Sequence, residues 1–320
     1  MENVIFQIMI DGKNFMPTSL TECIIEGEET QKEINKRLAE MGASLDTNIS
    51  DVKKQYQTKN DNALLTKRKT VVDAINEILN RKRTNVDVVN FNKVAHRGFS
   101  AMAPENTLVA YRVAKERGFN YVETDVQITR DGKFVIFHDE TLDRITDGTG
   151  RLRDKTLSEL KTLKIDAGPG VDKYPNEKIA TLEEFLILCK ELELFPVIEL
   201  TPTITWAEQN VKDFLAIVEK YDMIQNIVII SFSKEALQLV RNENDYIPFH
   251  YLADVTEENL SVCLSLKNTT ISCSLEQYTN DKLNLAKSRN VKLAVWVVNK
   301  WENYLDLKSK GVLNITTDTI

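Results

Sequence analysis

Reactive side chains cluster in one stretch of the chain, next to short apolar runs that resemble buried strands. The stretch spans 44 residues and holds His96 with Arg97, Glu123 with Asp125, and His138 with Asp139. Polar residues at the ends of strands meet at one face of an α/β enzyme, where catalytic residues are usually found. We therefore predict that these residues share one active site.

The acidic residues Glu123 and Asp125 are two positions apart in an extended segment, so their side chains project from the same face of the strand. Carboxylates that converge in this way repel each other, and a hard divalent cation with oxygen ligands relieves the repulsion. Magnesium or calcium fits this ligand type better than zinc does. The alternative is a solvated strand face, which is the commoner origin of an isolated acidic pair.

The histidines supply proton-transfer groups beside the acidic pair. An imidazole can accept and donate a proton near neutral pH, so His96 and His138 are candidates for general base and general acid. Arg97 offers a planar fork of donors that matches a phosphate group. A lone histidine is usually structural, and His250, which has no acidic neighbour in sequence, is interpreted in that way. A cation, paired histidines and an arginine in one stretch indicate phosphoester chemistry.

These side chains require a scaffold in which strands alternate with helices. Apolar strand-like segments recur at residues 93–96, 119–126, 195–200, 226–231, 247–252, 269–273, 292–298 and 312–317. Strands in this number with helical crossovers predict a closed parallel barrel of the α/β class. Residues 133–138 are expected to pair with the second strand, and residues 141–178 to form an insertion with a small helix.

The same region resembles a known family. Its HRG, PENT, ETD and TRDGKFVIFHD segments, followed by TLDRITDGTGRLRDKTLSELKTLKIDAG and KIATLEEFL, are similar to motifs of the glycerophosphodiester phosphodiesterases. The likeness runs from about Lys93 to the C-terminus and implies a TIM (β/α)8 barrel, a divalent metal and hydrolysis of glycerophosphodiesters. By position it implies His96 and His138 as the acid/base pair, Glu123, Asp125 and Glu199 as metal ligands, and Arg97 as a phosphate contact.

One position departs from the family pattern. The family usually has a lysine two residues after the metal-ligand glutamate, whereas this chain reads Ile198-Glu199-Leu200-Thr201. Loss of such a charged contact would cost on the order of 2 to 4 kcal/mol of transition-state stabilisation. We therefore expect weakened catalysis or a changed substrate. The alternative is that the Thr201 hydroxyl still donates a hydrogen bond to the substrate.

Other residues near the rim of the barrel are weaker candidates for substrate contacts. Trp296 lies late in the seventh strand, where it can either face bound glycerol or belong to the core. Phe232 and Glu105 are candidates to line the mouth, and Asn106 to brace the first loop at the substrate side. The cysteines lack the spacing of a zinc site and are interpreted as buried thiols.

The N-terminal part has a different organisation. We predict a short β-rich segment around a turn at residues 1–27, a helical segment at 28–83, a linker at 84–91 and the barrel at 92–320. Apolar residues from Ile34 to Tyr56 are spaced four and three apart, which fits a coiled coil and an amphipathic helix on its own domain equally well. Because the sequence stops after the eighth strand, we expect residues 84–92, the N-terminal helix or a neighbouring subunit to cover the position of the last barrel helix.

The segment TKRKTVVDAINEIL, at residues 66–79, resembles a helix of bacteriophage tail and fibre proteins. This second resemblance implies a virion location, contacts with other tail proteins and an oligomer, for which we prefer a trimer. The sequence contains no secretory signal and no apolar window of membrane-spanning length. A virion protein would reach a cell surface without either.

The net charge of −7 argues against nucleic acid as the main partner. The favoured function is metal-dependent hydrolysis of a glycerophosphate polymer, such as cell-wall teichoic acid, by a phage tail protein. In this reaction one histidine deprotonates the glycerol 2-hydroxyl for attack on phosphorus, and the other protonates the leaving oxygen. A cytoplasmic phosphodiesterase for small lipid-derived diesters is one alternative. A module that binds the polymer without cleaving it is the other.

Overall fold

The computed structural model describes residues 93–320 and, before them, only the strands β1 (Ile8–Ile10) and β2 (Lys13–Phe15). β1 and β2 pair in antiparallel register, with Ile8 opposite Phe15. They fall within the segment predicted to be β-rich. The predicted helical segment, the linker and the phage-like helix lie outside the described residues, and they stay predictions.

Eight parallel strands form a closed barrel, which confirms the predicted TIM (β/α)8 architecture. They are β3 (Lys93–Ala95), β4 (Tyr121–Ile128), β6 (Phe195–Leu200), β7 (Val228–Ser231), β8 (Phe249–Leu252), β9 (Thr269–Ser274), β10 (Leu293–Trp296) and β11 (Asn314–Thr317). The barrel closes because β3 pairs with β4 on one side and with β11 on the other. The short strand β5 (Phe134–Ile136) pairs antiparallel with the end of β4, as expected for residues 133–138.

Helices follow the strands and cover the outside of the barrel. They are α1 (Leu108–Glu116), α2 (Leu157–Thr162), α3 (Leu182–Glu191), α4 (Glu208–Lys220), α5 (Lys234–Glu243), α6 (Glu257–Leu266), α7 (Asn280–Ser288) and α8 (Trp301–Ser309). Several begin where a Thr or Ser side chain accepts a backbone N–H of the first turn, as Thr107 does for α1 and Thr181 for α3. No helix in the part of the chain that the structure describes is long and apolar enough to cross a membrane.

Alternation along β4 separates the core from the site. Val122 and Val126 are fully buried in the cluster between the barrel and its helices, so Glu123 and Asp125 face the barrel interior. Valine, isoleucine and leucine side chains from four strands form a separate apolar cluster inside the barrel: Val94, Val197, Val228, Ile230 and Leu252. The acids therefore lie inside the barrel, which also holds this apolar cluster.

The insertion after β5 has a small core of its own. Leu142, Ile145, Leu152, Leu160 and Ile165 pack with residues that flank β5. The insertion contains α2, in agreement with the prediction, and two short 3-10 helices at Leu152–Asp154 and Val171–Lys173. Its packing fixes the segment that follows His138.

Candidate active site

Three carboxylates converge at the C-terminal end of two neighbouring strands. Glu123 and Asp125 come from β4, and Glu199 comes from β6, where it is the register partner of Asp125. One oxygen from each lies within 4.8 Å of the others. All three residues that were predicted as metal ligands are therefore close enough to bind one ion.

These carboxylates are in an unfavourable electrostatic environment. Burial raises the pKa of Glu123 and of Glu199, and repulsion from Asp125 raises both further. Arg97 opposes this effect only in part. A hard divalent cation with oxygen ligands would offset the remaining repulsion, so the donor set and its charge fit a magnesium or calcium ion.

This repulsion predicts an unusual stabilising substitution. The pKa of the Glu123 carboxyl group is higher in the folded state than in the unfolded state. The protonated carboxyl group therefore favours folding at low pH, and this contribution to stability is lost as the pH rises from the unfolded-state pKa through the folded-state pKa. In chelator at pH 8, Glu123→Gln is expected to raise the free energy of unfolding by on the order of 1 kcal/mol, or about 2–4 °C in Tm. Added cation should raise the Tm of the unsubstituted protein more than that of the variant.

Thermal melts with chelator and with cation at pH 5 and pH 8 measure both effects. Glu140→Gln, which removes an exposed carboxylate of the insertion, is the matched control and should not change the Tm. A lower Tm for Glu123→Gln than for the unsubstituted protein in chelator at pH 8 would contradict the prediction.

The loop after β3 folds over the acids. The backbone N–H of Arg97 donates to Glu123 Oε2 at 2.8 Å. The side-chain Nε of Arg97 lies 3.4 Å from Asp125 Oδ2. Arg97 and Gly98 both have positive φ, of 54° and 77°. A Cβ at Gly98 would lie 2.6 Å from the Cβ of Ala110, so only glycine fits this turn. The guanidinium predicted to contact phosphate thus sits beside the acids.

Asn106 lies inside this loop and holds Asp125. Its Nδ2 donates to Asp125 Oδ2 at 2.7 Å, and its Oδ1 accepts from Tyr111 Oη at 3.0 Å and from Thr124 Oγ1 at 3.2 Å. Only 3% of Asn106 is exposed. These contacts agree with the prediction that Asn106 braces the loop. They occupy both the nitrogen and the oxygen of its side-chain amide, which was also predicted to contact substrate.

His96 is oriented by an aspartate from the opposite end of the barrel sequence. Its Nδ1 is 2.7 Å from Asp318 Oδ1. Burial opposes ionisation of Asp318, but the hydrogen bond and charge of His96, with hydrogen bonds from Asn299 and Ser100, outweigh it and lower the pKa of Asp318 to about 2. An ionised Asp318 assigns the proton to Nδ1 of His96, which leaves Nε2 to accept a proton.

His138 has a matching arrangement on the other side of the site. Its Nδ1 is 2.6 Å from Asp139 Oδ1. Burial opposes ionisation of Asp139, but hydrogen bonds from Arg144 and His138 lower the pKa of Asp139 to about 2. Gln127 Nε2 donates to the carbonyls of residues 137, 138 and 139 at 3.0, 3.0 and 2.6 Å. The ring of His138 is thus held through both its backbone and its Nδ1.

The other residues considered in the sequence analysis have hydrogen bonds or ring contacts with residues other than the three acids. The Thr201 hydroxyl is buried and donates to Val126 O at 3.2 Å, with Thr203 Oγ1 at 3.0 Å. Trp296 ends β10 and meets the exposed ring of Phe232 edge-on, with the ring centroids 5.8 Å apart. His250 is buried in β8 beside Asn314, and burial lowers its pKa to about 4.

Asp318, Gln127 and Arg144 were not predicted from the sequence. Asp318 follows the eighth barrel strand directly, so the rule that strand ends carry polar site residues also applies to it. Gln127 continues the period of two that begins at Glu123 and Asp125. Arg144 lies in the insertion, where no strand periodicity marks it.

Comparison with known proteins assigns the chain to a family. The model of the glycerophosphoryl diester phosphodiesterase family matches residues 96–320. The chain belongs to the glycerophosphoryl diester phosphodiesterase family. It is therefore a phosphoric diester hydrolase that cleaves glycerophosphodiesters, and enzymes of this family generally depend on a divalent cation.

Individual members of the phosphodiesterase family agree over the whole barrel. The glycerophosphodiester phosphodiesterase of Caldanaerobacter subterraneus is 31% identical over 227 residues, which cover 70% of this chain and 93% of that protein. A solved phosphodiesterase from Oleispira antarctica, in complex with its product sn-glycerol-3-phosphate, is 26% identical with a TM-score of 0.65. That alignment covers 72% of this chain and 93% of the other. The enzyme from Thermotoga maritima is 26% identical with a TM-score of 0.54, over 71% of this chain and 93% of the other.

Proposed function

We propose that this chain is a divalent-cation-dependent phosphodiesterase whose substrate is a glycerophosphate polymer of the teichoic acid class, and that it acts as part of a phage tail. The observation that carries the catalytic part is the convergence of Glu123, Asp125 and Glu199 within 4.8 Å near two aspartate-oriented histidines. The polymer and the phage tail are supported by the likeness of residues 66–79 to tail proteins.

The three carboxylates would hold the cation, and magnesium and calcium both suit their oxygen donors. When bound, such a cation supplies charge that stabilises the oxygens of a phosphodiester. The chain contributes Arg97 beside the same acids, with its Nε buried and without a hydrogen-bond partner among the described residues. A phosphate oxygen is a suitable acceptor for that N–H.

The histidines would perform the proton transfers. In the proposed reaction, Nε2 of one histidine removes the proton from the glycerol 2-hydroxyl, whose oxygen attacks phosphorus. The bond from phosphorus to the leaving oxygen breaks, and that oxygen takes a proton from Nε2 of the other histidine. Water then opens the cyclic phosphate, with the proton roles of the two histidines reversed. Asp318 and Asp139 keep each Nδ1 protonated throughout.

The substrate is tested by comparing a polymer with a small diester. We expect the full-length protein with magnesium or calcium to release glycerol phosphate from purified glycerophosphate teichoic acid and to act on glycerophosphocholine more slowly. His138→Ala is the control for contaminating activity. Activity on glycerophosphocholine with none on the polymer would favour the housekeeping function for lipid-derived diesters. Binding of the polymer without turnover of either substrate would favour the binding module.

The assembly state is a separate prediction. A spaced apolar stripe from Ile34 to Tyr56 is expected to be buried by self-association, because an isolated helix of that length is marginal in water. We expect light scattering to give an oligomer for the full-length protein, with a trimer preferred, and a monomer or a poorly folded protein for a fragment that starts near Asn92. Several linked sites would gain avidity on a repeating polymer. A monomeric full-length protein would contradict the tail function.

The position of the family's lysine gives a gain-of-function prediction. Thr201→Lys is expected to raise kcat/KM on glycerophosphocholine, because it adds a positive charge at the end of β6 next to the acids. The substitution also removes the hydrogen bond from Thr201 to Val126 O, which should cost about 1 kcal/mol of stability. Thr201→Val is the matched control, since it loses the same hydrogen bond without adding charge. Equal kcat/KM in all three proteins would show that the charge is not needed.

A further inference from the structure

We infer that Arg144, from the insertion after β5, is a positioning residue for His138 and couples that histidine to the loop that carries Arg97. The inference rests on the proposed proton-transfer role of His138. It concerns a side chain outside the barrel strands whose hydrogen bonds and ion pairs, among the described residues, go to Asp139 and Glu105 and not to the acids of the metal site or the ring of His138.

Arg144 binds two carboxylates at once. Its Nε and Nη2 donate to Asp139 Oδ2 and Oδ1 at 2.5 and 3.0 Å. Its Nη1 and Nη2 donate to Glu105 Oε2 and Oε1 at 2.9 and 2.7 Å. The planar guanidinium therefore makes a two-point contact on each partner, which fixes the orientation of both carboxylates and not merely their distance.

Both partners lead to residues of the site. Asp139 accepts the Nδ1 of His138 at 2.6 Å with the same oxygen that Arg144 Nη2 contacts. Glu105 accepts Arg97 Nη1 at 2.8 Å. Opposite charges thus alternate from Asp125 through Arg97, Glu105 and Arg144 to Asp139, whose carboxylate also contacts Nδ1 of His138.

The two carboxylates that Arg144 binds are partly shielded from solvent, which strengthens their interaction with the guanidinium. The side chains of Glu105 and Asp139 are 18% and 23% exposed, although Arg144 itself is 48% exposed. A simple surface ion pair contributes little, but a bidentate arginine that joins two carboxylates into one network is the stronger type. Residues that orient metal-ligating side chains typically affect activity by about 10–100-fold, and we expect an effect of that size for the orientation of His138.

His96 is held by a different set of residues. Its Asp318 accepts from Ser100 Oγ at 3.1 Å and from Asn299 Nδ2 at 2.7 Å. No hydrogen bond between that set and Arg144 occurs among the described residues. Loss of Arg144 should therefore disturb His138 and leave the orientation of His96 intact, which makes the coupling measurable.

The test is a double-mutant cycle on the full-length protein with magnesium, using glycerophosphocholine as substrate. Arg144→Ala is expected to lower kcat by about 10–100-fold with KM changed by less than about three-fold. In an Asp139→Asn background, Arg144→Ala should cause little further loss of kcat, because its effect on His138 passes through Asp139. In an Asp318→Asn background it should cause the full loss. Guanidinium chloride at millimolar concentration should restore part of the kcat of Arg144→Ala but not of Asp139→Asn.

Two further variants separate positioning from general destabilisation. Arg151→Ala removes an exposed arginine of the same insertion, whose ion-pair partner among the described residues is Glu140 at 3.3 Å, and should leave kcat unchanged. Arg144→Lys keeps the charge without the fork and should stay within a few-fold of the alanine variant.

The inference is overturned if Arg144→Ala lowers kcat by the same factor in the Asp139→Asn and Asp318→Asn backgrounds. It is also overturned if ammonium restores the kcat of Arg144→Ala as effectively as guanidinium does. Full kcat in Arg144→Ala also overturns it. Retained turnover in His138→Ala overturns the proposed role of His138 and this inference with it, so the two failures are distinguishable.

Discussion

Replacing either active-site histidine, His96→Ala or His138→Ala, is expected to lower kcat by about two to four orders of magnitude, while substrate binding persists. Each ring is held at Nδ1 by a carboxylate with a pKa of about 2, so each presents Nε2 for a single proton transfer. Loss of either ring removes one transfer from the reaction. Steady-state kinetics on glycerophosphocholine at saturating magnesium measure kcat and KM separately.

The third histidine provides the control. His250 lies beside Asn314, and its lowered pKa of about 4 keeps it neutral near pH 7. His250→Ala should reduce thermal stability, because it leaves a cavity in a buried position, but the folded fraction should keep kcat within about three-fold of the unsubstituted protein. A loss as large as that in His96→Ala would mean that the catalytic pair has been misassigned.

Glu123→Ala is expected to behave like permanent chelation. The substitution removes one of three converging carboxylates, and it also removes the acceptor for the backbone N–H of Arg97. We expect chelator to abolish hydrolysis by the unsubstituted protein and added magnesium or calcium to restore it. Glu123→Ala should stay at least about three orders of magnitude lower in kcat/KM at every cation concentration, as expected when a cation site for the reaction is lost.

Calorimetric titration with magnesium and calcium gives an independent readout for Glu123→Ala, since it follows the cation without turnover. Glu116→Ala, which removes an exposed carboxylate at the end of α1, is the matched control and should bind and turn over as the unsubstituted protein does. Full activity of Glu123→Ala at low cation concentration would disprove a site built from these three carboxylates.

The acids and the barrel could be predicted because their signals are local. Glu123 and Asp125 share a face through the period of two in one strand, and the strand segments are recognisable from their own apolar runs. Glu199 came from the resemblance to the family, since no local pattern joins it to β4. Its proximity to Asp125 depends on the register between β4 and β6, which a single sequence does not specify.

The residues that orient the histidines could not be predicted in the same way. Asp318 and His96 are 222 positions apart, and only the pairing of β11 with β3 brings them together. Arg144 reaches Asp139 across five positions of irregular backbone, where neither helical nor strand spacing applies. The position of its guanidinium depends on how the insertion packs its small core. Predictions for residues 16–92 fall outside the described residues, so they are decided by the experiments on assembly.

The pairing of β3 with β11 also determines when, during synthesis of the chain, the site can be completed. The ribosome releases the acids of β4 and β6 well before β11, and a domain generally folds as one unit. Until β11 emerges, His96 lacks Asp318, and the long loop between them still has to close. A partly synthesised chain therefore contains all three carboxylates but lacks both the strand that closes the barrel and the aspartate that orients His96. The contact that orients His96 is therefore completed last, after the rest of the barrel has been synthesised.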